Sequence, residues 1–172
     1  EISPEVWASD ATQMEQWLSE RCQVWSNGDY DILYQSFREI TIMFGVNEKN
    51  LPNLLVLSAL NIAVDLLRWA IEWDWNSGPM SACVTISCGQ PNKFIFTHNQ
   101  FTSMESFGPP FEKQMRLRES MELNSIVVCD ETAFRIKSLM FGFELEECGD
   151  GAYIFMIPNI YRPDMYSENV QS

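Results

Sequence analysis

Residues 51–73, LPNLLVLSALNIAVDLLRWAIEW, decide the fold of this chain. Their apolar side chains cover most of a helical wheel, which is typical of a helix buried on most of its sides. Pro52 suits a first turn, where its missing N–H would have had no helical partner. A membrane span needs about 20 mainly apolar residues, and Asp65 and Arg68 would lie inside it. The stretch therefore predicts a long core helix.

Around this helix, the sequence predicts helices first and strands later. Two earlier helices are predicted, over residues 11–25 and 30–44, with a strand over residues 40–44 as an alternative. After Pro79 the pattern changes to short runs with turn residues between them. These runs predict a short helix over residues 133–141 and strands at residues 81–88, 93–97, within 114–129, 143–147 and 152–157.

This order predicts an α+β fold. We expect N-terminal helices and a long buried central helix, packed on an antiparallel sheet built mostly from the C-terminal half. The length of 172 residues suits one domain with a substantial core. We predict an extended N-terminal arm over residues 1–8, a single domain over residues 9–157 and a flexible tail over residues 158–172.

Composition narrows the class of protein. Hydrophobic residues make up 46% of the chain, so it is not disordered by composition despite a net charge of -13. Such a negative charge argues against a protein that binds nucleic acid by neutralising its phosphates, and we expect no direct contact with nucleic acid. The five cysteines are odd in number and include no CxxC, which favours reduced thiols over a disulfide framework or a zinc site.

Motifs that would indicate catalysis, metal binding or phosphate binding are weak in this sequence. His98 is the only histidine, and a solvated loop histidine explains it better than a catalytic one. Glu144 and Glu146 fall on one face of a predicted strand, which favours a solvated face over an acid/base pair or a metal site. No phosphate-binding glycine motif occurs. Trp69 and Trp73 are predicted to pack in the core. We therefore expect no enzyme activity, no catalytic residue, no cofactor and no metal.

A family resemblance appears near the C-terminus. The stretch FRIKSLMFGFELEECGDGAYIFM, residues 134–156, resembles the C-terminal end of rhabdovirus matrix proteins of the vesiculovirus type. In that family a short helix leads into a hairpin that ends in Gly-Ala-aromatic, the place taken here by Gly151-Ala152-Tyr153. Residues 122–123 and 130–132 resemble the family's preceding strand and its acidic end.

The chain also departs from that family. Matrix proteins of this group are basic, whereas this chain is acidic throughout. They carry a PPxY motif, and residues 109–112 have its prolines without its tyrosine. Direct electrostatic binding to membranes is therefore not expected from this chain.

The resemblance implies a non-enzymatic viral structural protein that self-associates and bridges nucleocapsid and envelope during assembly and budding. Its implied partners are further copies of itself and the viral nucleocapsid protein. Its implied location is the virion and the host cytoplasm, with peripheral contact to the host membrane as a further expectation. The alternative is an acidic adaptor or host-factor-binding domain without an assembly role.

Two apolar segments are candidates for docking, because such segments commonly contact a neighbouring molecule. One is the predicted N-terminal arm and the other a proline-rich loop. The alternative is that both fold back on their own domain. The candidate self-association or partner-binding residues are Ile2, Pro4, Val6, Trp7, Phe107, Pro109, Pro110 and Phe111.

Overall fold

The structure, a computed structural model, describes residues 2–35, 39–47, 50–98, 101–139 and 143–157, and for residues 34–35, 93–98 and 101–107 it describes the backbone alone. The chain divides into two compact units, one built from the residues up to Ala82 and one spanning Cys83–Met156. The first unit contains α1 (Pro4–Trp25), β1 (Tyr30–Gln35), β2 (Ile40–Phe44) and α2 (Pro52–Glu72). The second contains β3 (Cys83–Ile86), β4 (Asn92–His98), β5 (Phe101–Phe107), α3 (Pro109–Leu117), a 3₁₀ turn (Arg118–Ser120), β6 (Ser125–Cys129), α4 (Asp130–Leu139), β7 (Leu145–Gly149) and β8 (Ala152–Phe155).

The first unit packs two helices and a hairpin around one apolar cluster. Leu18 and Cys22 of α1 meet Ile62 of α2 in its centre. Side chains of the β1–β2 hairpin, including Ile42 and Phe44, pack against them. The two strands are antiparallel, with Tyr30 opposite Phe44.

Two expectations for this unit are wrong. The predicted extended arm is helical from Pro4 onward, because Ser3 caps the helix and proline is well suited to its first turn. The predicted helix over residues 30–44 is the β1–β2 hairpin. Ile40–Phe44 is a continuous apolar run, whose periodicity does not separate helix from strand. The alternative of a strand over residues 40–44 is the one that the structure adopts.

The predicted central helix is confirmed as α2, with Pro52 in its first turn. Its buried side chains include Leu60, Ile62 and Leu67. Among the described residues it is also the one helix whose length and apolar composition would allow it to cross a membrane. Its apolar face packs instead in the cluster of the first unit, as a core helix does.

The tryptophans near the end of α2 differ from the prediction. Trp73 is 46% exposed, whereas Trp75 is 4% exposed. The indole N–H of Trp75 donates to the carbonyl of Ala70 at 2.9 Å, which satisfies its polar atom inside the core. The helix ends at Glu72, and the turn that follows places the Trp75 indole in the core.

The second unit is a four-stranded sheet with helices and a separate hairpin. The strand order is β3-β6-β8-β7, and β4 pairs with β5 in its own two-stranded sheet. β3 runs parallel to β6, and the other pairs in the four-stranded sheet are antiparallel. Val127 of β6, Ile154 of β8 and Leu117 of α3 form its core. The α+β class is confirmed, and the sheet is mixed where an antiparallel one was expected.

The predicted loop around residues 107–111 is also wrong. Phe107 ends β5, and Pro109, Pro110 and Phe111 open α3. Much of the stretch 114–129, predicted as strands, belongs to α3 and the following turn. A single domain over residues 9–157 stays a prediction, and the predicted tail lies outside the described residues.

Candidate functional site

The carboxyl ends of β3 and β6 meet at one edge of the sheet in the second unit. The strands are parallel, with Ile86 opposite Val128, so the residues after both strands come together. Cys88 follows β3 by two residues, and Cys129 ends β6. In sheets with parallel strands this edge is where binding groups commonly converge.

An ion network lies beside this edge, centred on Glu131 in the first turn of α4. Lys113 of α3 donates from Nζ to Oε2 of Glu131 at 3.0 Å. Arg135, one turn later on α4, donates from Nη2 to Oε1 of the same carboxylate at 3.1 Å. Lys113 Nζ also lies 3.8 Å from Asp130 Oδ1. The Glu131 carboxylate therefore links α3 to α4, two helices that follow different strands.

The network shifts the acidity of its members in the directions that ion pairing predicts. Hydrogen bonding from Lys113 is the main reason why the pKa of Glu131 lies below its usual range. The same bond is the main reason why the pKa of Lys113 is raised. The pKa of Arg135 is raised chiefly by its bond to Glu131. All three groups stay charged at neutral pH.

Two thiols and one hydroxyl lie against this network. The hydroxyl oxygen of Thr132 is 3.2 Å from the sulfur of Cys129. It donates to the sulfur of Cys88 at 3.3 Å. Thr132 is fully buried and Cys129 is 2% exposed, whereas Cys88 is half-buried. The hydroxyl therefore holds both sulfurs at one point, with Cys88 on the solvent side.

The two thiols also share a hydrogen bond with each other. That bond, donated by Cys88, is the main reason why the pKa of Cys129 is lowered to about 5. The backbone N–H of Thr132 adds to this effect, against the cost of burial. The pKa of Cys88 is raised for the same reason, since it keeps the shared proton. The two thiols therefore titrate as a coupled pair, in which Cys129 is the stronger acid.

Side-chain bonds from Gln114 fix α3 on β3 and so place Lys113. Gln114 Nε2 donates to the carbonyl oxygen of Thr85 at 3.2 Å and also contacts its hydroxyl. Ser87 donates from its hydroxyl to the carbonyl of Pro110 at 2.7 Å. These bonds hold the helix that carries Lys113 beside the strand that leads to Cys88.

The residues predicted to mediate docking lie elsewhere. In the first unit, Ile2 and Trp7 are exposed near the start of α1, which also contains Pro4 and Val6. In the second, Pro109, Pro110 and Phe111 form the first turn of α3. The side chains of Phe107 and His98 lie outside the described residues. The docking role of this set stays a prediction.

The acidic residues that the sequence analysis considered as a possible acid/base or metal site are exposed to solvent. Glu144, Glu146 and Glu147 are all exposed, in agreement with a solvated face. Within the described ranges, no group of three or more histidine, cysteine or acidic side chains could hold a metal ion.

Sequence reasoning missed the network of cysteines and charges. One signal was present, because Cys129 ends the apolar run of β6 and acidic residues follow it directly at a helix start. Lys113 had no such signal, since it meets Glu131 only through the packing of α3 on the sheet.

Comparison with known proteins identifies the fold. No protein-family model and no curated protein matches the sequence. The guanylate cyclase domain of RhGC from Catenaria anguillulae, in complex with GTP, matches with a TM-score of 0.71 and 12% identity, covering 90% of this chain and 86% of that chain. The adenylyl cyclase CyaB from P. aeruginosa matches with a TM-score of 0.68 and 11% identity, covering 91% of this chain and 85% of that chain.

A third match is the catalytic core of a rhodopsin-guanylyl cyclase with converted specificity, in complex with ATPalphaS. Its TM-score is 0.69 at 12% identity, and the match covers 90% of this chain and 85% of that chain. The chain therefore has the fold of nucleotidyl cyclase catalytic domains.

This fold overturns the resemblance to rhabdovirus matrix proteins. The strand, helix and hairpin predicted from residues 122–156 are present as β6, α4, β7 and β8. Such a succession is local and occurs in unrelated folds, so it did not identify a family. The viral structural role, the nucleocapsid partner and the expectation of no enzyme activity are wrong with it, because the matched structures are cyclase catalytic domains. The virion location depended on that resemblance alone.

Proposed function

We propose that this chain is a nucleotidyl cyclase domain, which converts a nucleoside triphosphate into a cyclic nucleotide and pyrophosphate. The observation that carries the proposal is the match of about nine-tenths of the chain to cyclase catalytic domains, at TM-scores of 0.68 to 0.71. The matches cover 85–86% of those chains as well. Two of them were solved with GTP or ATPalphaS bound.

A triphosphate needs local positive charge on a chain whose net charge is -13. The second unit supplies such charge on α3, where Lys113 and Arg116 lie one turn apart. Lys113 is already paired with Glu131. Arg116 is exposed to solvent, and we infer that it contacts the phosphates.

The direct test is product formation. The purified chain is incubated with ATP or GTP in the presence of Mg²⁺ or Mn²⁺, and cyclic nucleotide and pyrophosphate are measured by mass spectrometry. We expect the two products in equal amounts, because cyclisation joins the ribose oxygen to the α-phosphorus and releases the rest of the triphosphate. Comparing ATP with GTP identifies the substrate.

Two arginine variants sharpen this test. Arg116→Ala should lower kcat/KM at least about tenfold, as expected when a charge-assisted phosphate contact is lost. Arg68→Ala, which removes an exposed arginine from α2 in the other unit, should leave the rate unchanged. Hydrolysis to a nucleoside diphosphate and phosphate, without cyclic product, would contradict the proposal. So would the absence of both turnover and nucleotide binding.

A further inference from the structure

The thiol pair at the carboxyl ends of β3 and β6 has a geometry that neither the fold nor the proposed cyclase activity requires. Both sulfurs contact one buried hydroxyl, that of Thr132, at 3.2 and 3.3 Å. The two sulfurs therefore lie within about 6.5 Å of each other. A disulfide joins Cα atoms roughly 4.4–6.8 Å apart, and the register that pairs Ile86 with Val128 places Cys88 and Cys129 at the same end of the two adjacent strands.

The surroundings favour a reactive thiolate. Arg135 is hydrogen-bonded to the sulfur of Cys88, and Lys113 acts electrostatically on Cys129. Backbone N–H groups of Cys88 and Thr132 donate to the sulfur of Cys129. Cations and N–H donors stabilise a thiolate, and reactive cysteines occur in such electropositive, partly exposed surroundings. The pair also has one half-buried member, Cys88, through which a small molecule can reach it.

We propose that Cys88 and Cys129 form a two-cysteine redox site, in which a hydroperoxide oxidises the pair to a disulfide that links the segment after β3 to the end of β6. This modification is independent of the proposed cyclase activity. Hydrogen peroxide is the smallest oxidant of this class.

The reaction balances in two steps. Cys129 takes the proton of Cys88 while the Cys88 sulfur attacks the O–O bond, forming a sulfenic acid on Cys88 and releasing an alkoxide, or hydroxide from hydrogen peroxide. This leaving group takes up the proton that Cys129 accepted, so that Cys129 is again a thiolate. The sulfur of Cys129 then attacks that of Cys88, forms the S–S bond and expels hydroxide. In total, one thiol, one thiolate and one hydroperoxide give one disulfide, one alcohol or water, and one hydroxide. Two electrons pass from the sulfurs to the peroxide.

The other cysteines provide internal controls. Cys83 and Cys148 are also partly exposed, but burial is the main cause that raises the pKa of each. The groups that act on these two thiols include no second cysteine to take up their proton, so both should react more slowly than Cys88. Any general oxidation of the chain would affect them together with Cys88.

The test is a peroxide titration of the full reduced chain, followed by alkylation and peptide mapping without reduction. We expect the Cys88–Cys129 disulfide at peroxide concentrations at least about tenfold lower than those that oxidise Cys83 or Cys148. Cys88→Ser should abolish the disulfide, and Cys148→Ser should leave its yield unchanged. Oxidation of Cys83 or Cys148 at the same concentrations, or sulfinic acid on Cys88 without a disulfide, would overturn the proposal.

Arg135→Gln keeps both cysteines and so does not depend on the fold of a cysteine variant. It should slow disulfide formation about fivefold, the factor that one ordinary hydrogen bond is worth. Lys137→Gln, a matched change on an exposed position of the same helix, should not slow it. An unchanged rate in Arg135→Gln would show that the pair is not activated by its surroundings.

Discussion

Trp17 of α1 stacks on Trp69 of α2, with ring centroids 4.8 Å apart and ring planes 9° from parallel. Trp75 meets the same Trp69 ring edge-on at 4.7 Å. Arg21 lies 5.3 Å from the centroid of Trp17. Stacked and edge-to-face arrangements are both favourable for aromatic pairs. Trp69 therefore joins the two helices of the first unit to the turn that follows α2.

Replacing Trp69 should destabilise the first unit. Trp69→Ala removes the ring contacts with Trp17, Trp73 and Trp75 and leaves a cavity, and we expect the free energy of unfolding to fall by about 3 kcal/mol. Urea denaturation followed by far-UV circular dichroism measures this loss. Val24→Ala, at a position of α1 that is 76% exposed, should change stability by no more than about 0.5 kcal/mol. Equal losses in the two variants would contradict a central role for Trp69.

Asp10 should make the first unit sensitive to acid. Its buried carboxylate accepts hydrogen bonds from the side chain of Asn76 at 3.0 Å and from the backbone N–H of Ser77 at 2.8 Å. Burial alone would raise its pKa, but these bonds hold the pKa below the ordinary value of 3.8. Because the folded-state pKa is depressed, the stabilisation is full above the unfolded-state pKa and is lost as the pH falls through the folded-state pKa.

Asp10→Ala leaves the buried N–H of Ser77 without its acceptor and should cost about 2 kcal/mol at pH 7. The difference from the unsubstituted chain should shrink as the pH falls below about 4. Asp31→Ala, at an exposed position of β1, should change the free energy of unfolding by no more than about 0.5 kcal/mol at pH 7. Denaturation curves at several pH values measure both, and a difference that is constant with pH would contradict the assignment.

Glu131 should stabilise the second unit in a salt-dependent way. Its ion pairs with Lys113 and Arg135 involve side chains about one-third exposed, so Glu131→Gln should cost about 1 kcal/mol at low ionic strength. The cost should fall in about 1 M NaCl, where charges are screened within roughly 3 Å. Glu147→Gln, at an exposed position of β7, is the matched control. A cost for Glu131→Gln that does not change with salt would argue against ion pairing.

The parts of the fold that the sequence predicted are those whose pattern is local. α2 carries its own apolar periodicity over 21 residues, and it was found almost to the residue. α3 was missed because Pro109 and Pro110 were interpreted as loop residues. At the start of a helix their missing N–H groups cost nothing, so the same residues can also open one. The β1–β2 hairpin was missed because Ile40–Phe44 has no alternation.

The candidate site could not be predicted, because its members are distant in sequence. Thr132 lies 44 residues from Cys88, and Glu131 lies 18 residues from Lys113. They meet through the parallel pairing of β3 with β6, whose register no local motif specifies. The matrix-protein hypothesis failed for the opposite reason, since it depended on a local block alone.

The position of β6 has a consequence for synthesis of the chain. β6 lies between β3 and β8, and neither neighbour is adjacent to it in sequence. β3 leaves the ribosome first, and its partner follows roughly 40 residues later, which takes about 2–8 s at typical rates of synthesis. During that interval the β4–β5 hairpin can close on itself, but the four-stranded sheet cannot begin. A nascent chain halted before Ser125 would therefore contain the β4–β5 hairpin but none of the strand pairs of the four-stranded sheet.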